Sequence, residues 1–214
     1  MFACGRPSFA PEGNPGSTAP SSVDLPEGFH LDDGFLDDAS ASRVLEELSA
    51  ETPWEDHTFT IFGRTVPMPR RIAWYGDHAY GYSGVIHPAR PLSQQLDWLR
   101  DAVAAATGHP FNCVLLNLYR GGSDSMGWHA DDDYEAGPHT GVASLSLGAT
   151  RRFRLRSRDA DRRSIGMDLT HGSLLFMGPG TQAAWHHAVT RTARKVGVRI
   201  NLTFRHLIAT NIRT

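Results

Sequence analysis

The sequence predicts a mainly β domain, an antiparallel sandwich or barrel with helices ahead of it. Three observations carry this reading. Beyond residue 113 the chain falls into short apolar runs: Val114 to Tyr119, Val142 to Leu147, Arg152 to Arg156, Ser173 to Met177 and Val196 to Phe204. The intervals hold turn residues, namely Gly121-Gly122-Ser123, Gly137-Pro138, Gly148 and Gly178-Pro179-Gly180. No second alternation of strand and helix follows, so a doubly wound parallel sheet is disfavoured. Neither a GxGxxG nor a GxxxxGKS phosphate loop is present, and there is no internal repeat.

Two helices are placed before residue 113. Asp38 or Ser40 is placed to cap a short helix that carries Val44, Leu45 and Leu48 on one side and stops at Pro53. A second helix has Pro91 in its first turn, Leu92, Leu96, Leu99 and Val103 at spacings of three and four, and Gly108-His109-Pro110 as its stop. At 214 residues, 40% of them hydrophobic, the chain suits one domain. Residues 1–22, rich in Pro, Gly and Ser, read as a disordered leader, and residues 23–214 as a single domain. Mean hydropathy is -0.33 and no run of about 18 apolar residues exists, so no membrane helix is expected. The start lacks the order of a secretory signal, and a cytoplasmic protein is expected. Cys4 and Cys113 are the two cysteines, too few for a disulfide framework or a thiolate zinc site. Any metal must therefore take nitrogen and oxygen ligands.

Charge is unevenly spread. Asp24 to Asp56 holds 11 acidic residues and one basic residue, net -10, whereas Arg151 to Thr214 holds 13 basic and 3 acidic, net +10. Of the 21 cations 20 are Arg, the better fork for carboxylate and phosphate, although a bias of the source genome gives the same composition. At strand period, Arg152, Arg154 and Arg156 share a face, with Phe153 and Leu155 turned to the core. That face is expected to line a wall beside the site discussed next, within a series that also includes Arg151, Arg158, Arg162 and Arg163.

His129-Ala130-Asp131 sets an imidazole and a carboxylate two residues apart, on one face if the segment is a strand. His30-Leu31-Asp32 has the same spacing, so the pair alone decides nothing. What separates them is His187, downstream of the Gly178-Pro179-Gly180 turn: two His and one carboxylate form the facial triad of non-haem Fe(II). Its neighbour His186 is a rival for the third position, since only one of two adjacent strand residues can point inward. The segment Arg199-Ile200-Asn201-Leu202-Thr203-Phe204-Arg205 alternates polar and apolar, placing two Arg, Asn and Thr on one face. A strand with one wet face has the same pattern. If that face is buried, the two arginines call for an anion such as a 2-oxo dicarboxylate.

These residues, in order, resemble the AlkB family of Fe(II)- and 2-oxoglutarate-dependent dioxygenases that repair alkylated bases. The resemblance runs from about Pro53 to Leu207. It includes Ala73-Trp74-Tyr75-Gly76-Asp77, Tyr80-Gly81-Tyr82-Ser83, Asn117-Leu118-Tyr119, His129-Ala130-Asp131 with Asp132 and Asp133, Ala143 to Ala149, Trp185 with His187, and the Arg199 to Arg205 segment. It implies a double-stranded β-helix, or jelly roll, with flanking N-terminal helices and substrate-binding hairpins. It selects His187 over His186, implying that His129, Asp131 and His187 bind Fe(II) and that Asn117, Tyr119, Arg199, Asn201 and Arg205 hold 2-oxoglutarate. By the same carry-over, Trp74 and Tyr80 stack on or line an extruded base, and Asp133 accepts hydrogen bonds from its edge. On the residues alone, Trp74, Tyr80 and Tyr82 equally suit strand core, and Asp132 with Asp133 a solvated turn. His171 is read as a hydrogen-bonded turn histidine. The implied reaction is oxidative demethylation of 1-methyladenine and 3-methylcytosine in DNA, RNA being left open, with dioxygen consumed and formaldehyde, succinate and carbon dioxide released. No membrane partner and a monomer are expected. The alternatives are a 2-oxoglutarate dioxygenase acting on protein or a small molecule, and a non-catalytic jelly-roll binding module.

Overall fold

Among the residues that the computed structural model describes, 24–61, 63–82, 85–131 and 140–208, the chain runs β1 (Phe29–Asp32), α1 (Asp38–Glu51), β2 (Glu55–Ile61), β3 (Arg64–Gly76), β4 (Tyr80–Tyr82), β5 (Val85–His87) and α2 (Gln94–Thr107). There follow β6 (Cys113–Tyr119), β7 (Met126–His129), β8 (Val142–Gly148), β9 (Arg151–Ser157), β10 (Ser164–Leu169), β11 (Leu174–Met177), the single turn α3 (Thr181–Ala184), β12 (Trp185–Val189) and β13 (Arg199–Arg205). The leader, residues 1–22, lies outside the described residues.

The start of each helix differs from what the spacing suggested, that of α1 being earlier and that of α2 later. The cap of α1 is Asp37, not Asp38 or Ser40: its extended backbone lets the carboxylate accept from the Ser40 amide at 2.8 Å and the Ser40 hydroxyl at 3.0 Å. Asp38 is already helical and cannot reach that position. In α2 the cap is Ser93, which accepts from the Leu96 amide at 3.3 Å, so Pro91 stands ahead of the helix rather than in its first turn. Gly108 at φ +72° closes it, as glycine does most readily.

Seven antiparallel strands form the larger sheet, in the order β1-β11-β8-β13-β6-β3-β2, and four form the smaller, β10-β9-β12-β7. The antiparallel prediction and the jelly roll implied by the resemblance are both what the chain builds. Strands β4 and β5 make a separate hairpin. Helix residues Val44, Leu48, Leu96, Leu99 and Val103 bury against Val114, Leu116, Leu145, Leu202 and Phe204, covering the outer face of the large sheet. A second cluster, including Phe29, Val142, Phe153, Leu155, Met177 and Val189, fills the space between the sheets. Burying an aliphatic side chain contributes roughly 1.5–3 kcal/mol, so these two layers fix the sheets and what they carry.

Candidate active site

Strand β13 is the floor of the site, and all seven of its residues are buried. Ile200, Leu202 and Phe204 enter the helix-backed core. The alternate residues face the space between the sheets, so the polar side of this strand is not wet; it is a second, polar interior. Register does the rest: Arg199 lies opposite Tyr119, and Asn201 opposite Asn117 on β6. A pocket opens there, lined by Asn117, Tyr119, His129, Asp131, His187, Asn201 and Arg205 among others.

Strand β12 pairs with β7 so that His187 lies opposite His129, and their ring centroids are 4.1 Å apart at 63°. Asp131 is not on the strand, as the spacing suggested, but two residues past the end of β7, where its amide donates to Gln182 Oε1 at 2.9 Å. That departure brings its carboxylate 3.9 Å from His129 Nε2 and 3.6 Å from His187 Nε2. One ligand atom from each residue lies within 4.8 Å of the others, close enough to hold one metal ion. The Gly127 carbonyl, 2.8 Å from His129 Nδ1, can only accept, so that nitrogen carries the proton and Nε2 presents its lone pair to the centre. Phe153 stacks on His187 at 5.4 Å and 24°. His186 is the half-buried neighbour on the opposite side of the strand.

The electrostatics favour ligand-ready forms. Burial, then His187, pulls the His129 imidazolium down to about 4, keeping the ring neutral near pH 7. Burial acts to raise the Asp131 carboxyl, but Arg205 and then the two histidines outweigh it and hold it well below the usual carboxylate range. Arg205 Nη2 donates to Asp131 Oδ1 at 2.6 Å. Deeper in, Arg199 is 1% exposed; its Nη2 donates to Ser146 Oγ at 2.9 Å, while Nε and Nη1 have no hydrogen-bond partner among the described residues. Burial draws this guanidinium below its ordinary value, as expected of a cation enclosed without an anion. Its two unpartnered nitrogens belong to the planar fork that pairs with carboxylates.

Residues 28–205 match the model of the 2OG-Fe(II) oxygenase superfamily. The chain belongs to that superfamily. It lies in the AlkB branch: it is 38% identical over 181 residues to the human alpha-ketoglutarate-dependent dioxygenase alkB homolog 3, covering 80% of this chain and 63% of that protein. It is 36% identical over 184 residues to the mouse DNA oxidative demethylase ALKBH2, covering 80% and 77%. This oxygenase thus spans little more than three fifths of the alkB homolog 3 length. Among solved structures, OsALKBH1 superposes with a TM-score of 0.62 at 21% identity, over 85% of this chain and 99% of that one. A prolyl hydroxylase from Trichoplax adhaerens superposes with 0.58 at 14% identity, over 84% and 83%. Those two likenesses concern the fold. Fe(II) and 2-oxoglutarate are the metal and co-substrate of the superfamily, and dioxygen its oxidant. The three converging donors and the anion-deprived Arg199 suit both groups.

Seven of the expected site residues, His129, Asp131, His187, Asn117, Tyr119, Asn201 and Arg205, line this space, and Arg199 packs against the ring of one of them, Tyr119. Trp74 differs from the expected stacking platform. Its ring is 2% exposed in a core cluster with Met68, Ile72, Cys113 and Leu115, and its indole N–H donates to the His78 carbonyl at 3.0 Å. Tyr80 begins β4, and its side chain lies outside the described residues, as does all of Asp133. His30 is exposed on β1. His171 is a turn residue whose Nδ1 accepts from the Gly148 amide at 2.8 Å.

The arginine series is also redistributed. Arg152 and Arg154 are exposed and Arg156 is half-buried, alternating with buried Phe153 and Leu155 as expected. They do not line the pocket wall, however: Phe153 takes the pocket side, so the arginines face outward, where Arg156 lies 4.4 Å from the Trp128 ring. Arg151 is no surface residue at all. It is 2% exposed and donates to the carbonyls of Gly121, Asp124 and Thr190 at 2.7–2.9 Å. Sequence reasoning missed Arg70, whose Nε donates to Asn117 Oδ1 at 2.9 Å, and Ser144, whose hydroxyl accepts from Asn201 Nδ2 at 2.7 Å. A polar residue alternating with Leu145 and Leu147 was the available signal for Ser144 and Ser146.

Proposed function

We propose that this oxygenase oxidatively demethylates N-alkylated bases such as 1-methyladenine and 3-methylcytosine in DNA, with RNA as a second candidate polymer. The observation that carries the reading is a buried two-His-one-carboxylate cluster on a polar pocket together with a buried, anion-deprived arginine packed against Tyr119 of the same pocket lining. His129 Nε2, Asp131 and His187 Nε2 are assigned as the Fe(II) ligands. Asn117, Tyr119, Arg199, Asn201 and Arg205 would together hold 2-oxoglutarate, the guanidinium groups neutralising its carboxylates. Bound together with dioxygen, these groups supply the oxidation of an N-methyl carbon to hydroxymethyl, which leaves the base as formaldehyde while 2-oxoglutarate becomes succinate and carbon dioxide.

What the chain's own residues do is positioning. Gly127 holds the His129 tautomer, Phe153 the plane of His187, and Gln182 the backbone of Asp131. Arg70 orients Asn117, and Ser144 orients Asn201. The hairpin of β4 and β5 is assigned to cover the base, with Tyr80 lining it and Asp133 reading its edge. Support for a nucleic acid substrate comes from the ALKBH2 relative, described as a DNA oxidative demethylase, and from the outward Arg152 and Arg154. Succinate and formaldehyde release, measured with methylated and unmethylated oligonucleotide, tests the proposal. Stoichiometric formaldehyde with the methylated strand alone is expected. Succinate formation indifferent to the oligonucleotide would transfer the primary substrate to a protein or small molecule.

A further inference from the structure

A second cluster of metal-binding chemistry lies away from the site just described, where β2 meets the β4–β5 hairpin. Glu55 and His57 stand two apart on β2, where its register with β3 shifts between Asp56 and Thr58, and their side chains meet. His87 is the last residue of β5. His57 Nε2 is 3.0 Å and His87 Nδ1 3.5 Å from Glu55 Oε2. The two rings are 4.9 Å apart, edge to face at 74°, and one ligand atom of each residue lies within 4.8 Å of the others. The ligand atoms of a tetrahedral zinc site, at about 2.0–2.1 Å from the ion, are about 3.3 Å from one another. The observed separations bracket that value.

His87 is the observation that hydrogen bonding does not explain. Its side chain is 2% exposed, and neither ring nitrogen has a hydrogen-bond partner among the described residues. A buried polar atom left unpaired costs roughly 1–3 kcal/mol. The 3.5 Å approach to Glu55 does not relieve it, whereas an ion between the two would give Nδ1 its partner. Glu55 has an oxygen for the purpose: Oε1 faces Arg90 Nη2 at 3.4 Å, leaving Oε2 toward both imidazoles. Glu55 is 35% and His57 14% exposed, so the open side of the cluster admits a water as fourth ligand.

We propose that Glu55, His57 and His87 form a second metal site, for Zn2+ or a similar borderline divalent cation, which clamps the β4–β5 hairpin to β2. Two imidazoles and one carboxylate select that class over Ca2+ or Mg2+, which prefer all-oxygen shells. The clamp is structural. Its ligands come from two elements that share no backbone ladder, β2 pairing only with β3, and β5 only with β4, among the described strands. A bound ion would supply the cross-link that the sheets do not, at the base of the hairpin that carries Tyr80 and Tyr82.

Zinc competition against a chromophoric chelator, on the full chain, counts the sites. Wild type is expected to bind two equivalents, and His57→Gln or Glu55→Gln one. His187→Ala should keep one equivalent, lost on addition of His57→Gln, so this site is scored whether or not the iron assignment holds. Hydrogen exchange across residues 80–87 should slow with zinc in His187→Ala and not in His187→Ala with His57→Gln. His87→Phe tests the buried ligand, and because that variant can fail to fold, the two more exposed positions carry the decision. Zinc binding by His187→Ala that is unchanged in both the His57→Gln and Glu55→Gln backgrounds, or no binding at all by folded His187→Ala, overturns the proposal.

Discussion

Arg205 donates to Asp131 Oδ1 at 2.6 Å, so a residue assigned to the co-substrate is bonded directly to a residue assigned to the metal. The two halves of the site share this contact. Arg205→Ala should therefore weaken metal binding in the absence of 2-oxoglutarate by about tenfold, as losses of groups that orient a metal ligand commonly do, and raise the 2-oxoglutarate requirement as well. Because Arg205 is the main influence lowering Asp131, the acid limb of metal binding should also move to higher pH. Titration of Mn2+ against pH in wild type and variant checks it; superimposable curves would break the proposed link.

Arg199 offers the contrast. It touches Ser146 and the Tyr119 ring but no metal-ligating residue. Arg199→Ala should raise the 2-oxoglutarate KM by on the order of 30-fold or more, the cost of about 2 kcal/mol for one buried charge-assisted contact, with metal affinity unchanged. Arg199→Lys should recover only part of this, since the ammonium lacks the planar fork. Equal losses of metal and 2-oxoglutarate affinity would contradict the division.

His129 makes the metal-free protein sensitive to acid. Its folded value of about 4 lies below the ordinary 6.5, so between those values the unfolded chain binds more protons and stability rises with pH. The contribution is complete above pH 6.5 and lost as pH falls toward 4, worth at most about 3 kcal/mol. Urea midpoints in chelator at pH 7, 6, 5 and 4.5 should fall steadily, with a shallower decline in His129→Asn. A variant as steep as wild type would remove His129 from the account.

Arg154 and Arg151 should separate surface from core. Arg154→Ala should reduce the slope of log affinity against log salt for methylated oligonucleotide by roughly 0.7 to 0.9 if it meets a phosphate. Arg151→Ala should instead lower stability by about 3 kcal/mol, since three carbonyls lose their donor. A normal melting temperature for Arg151→Ala would show that this network is dispensable.

The β13 alternation was legible because its signal is local, whereas the choice of His187 over its neighbour His186 came from the resemblance to the AlkB family. Period two carries the Arg199 to Arg205 alternation, and His187 follows a Gly-Pro-Gly turn. Asp131 was legible as a partner of His129 but not as a residue beyond the strand, because the chain's exit from β7 depends on Gln182, 51 residues away in sequence. Arg70 reaches Asn117 across 47 positions; nothing local marks such a contact. Trp74 and Arg151 show the limit from the other side. The resemblance implied a stacking platform for the first, and membership of an arginine-rich series a surface role for the second, yet burial is decided by which strand lies opposite. The Glu55–His57 pair had the same two-residue spacing as His129–Asp131, but its third member comes from a separate hairpin.

Strand β13 has no side that faces water, and this makes its alignment with β6 and β8 an all-or-nothing matter. Slipped by one residue, it would thrust Ile200, Leu202 and Phe204 into the polar cavity and drive Arg199 and Arg205 under the helices. Each interior would reject what it received, one losing its ligands for the co-substrate and the other taking on bare charge. A misaligned molecule would then be unstable before it could be inactive. Correct assembly and catalytic competence are in this way proofread by a single seven-residue segment.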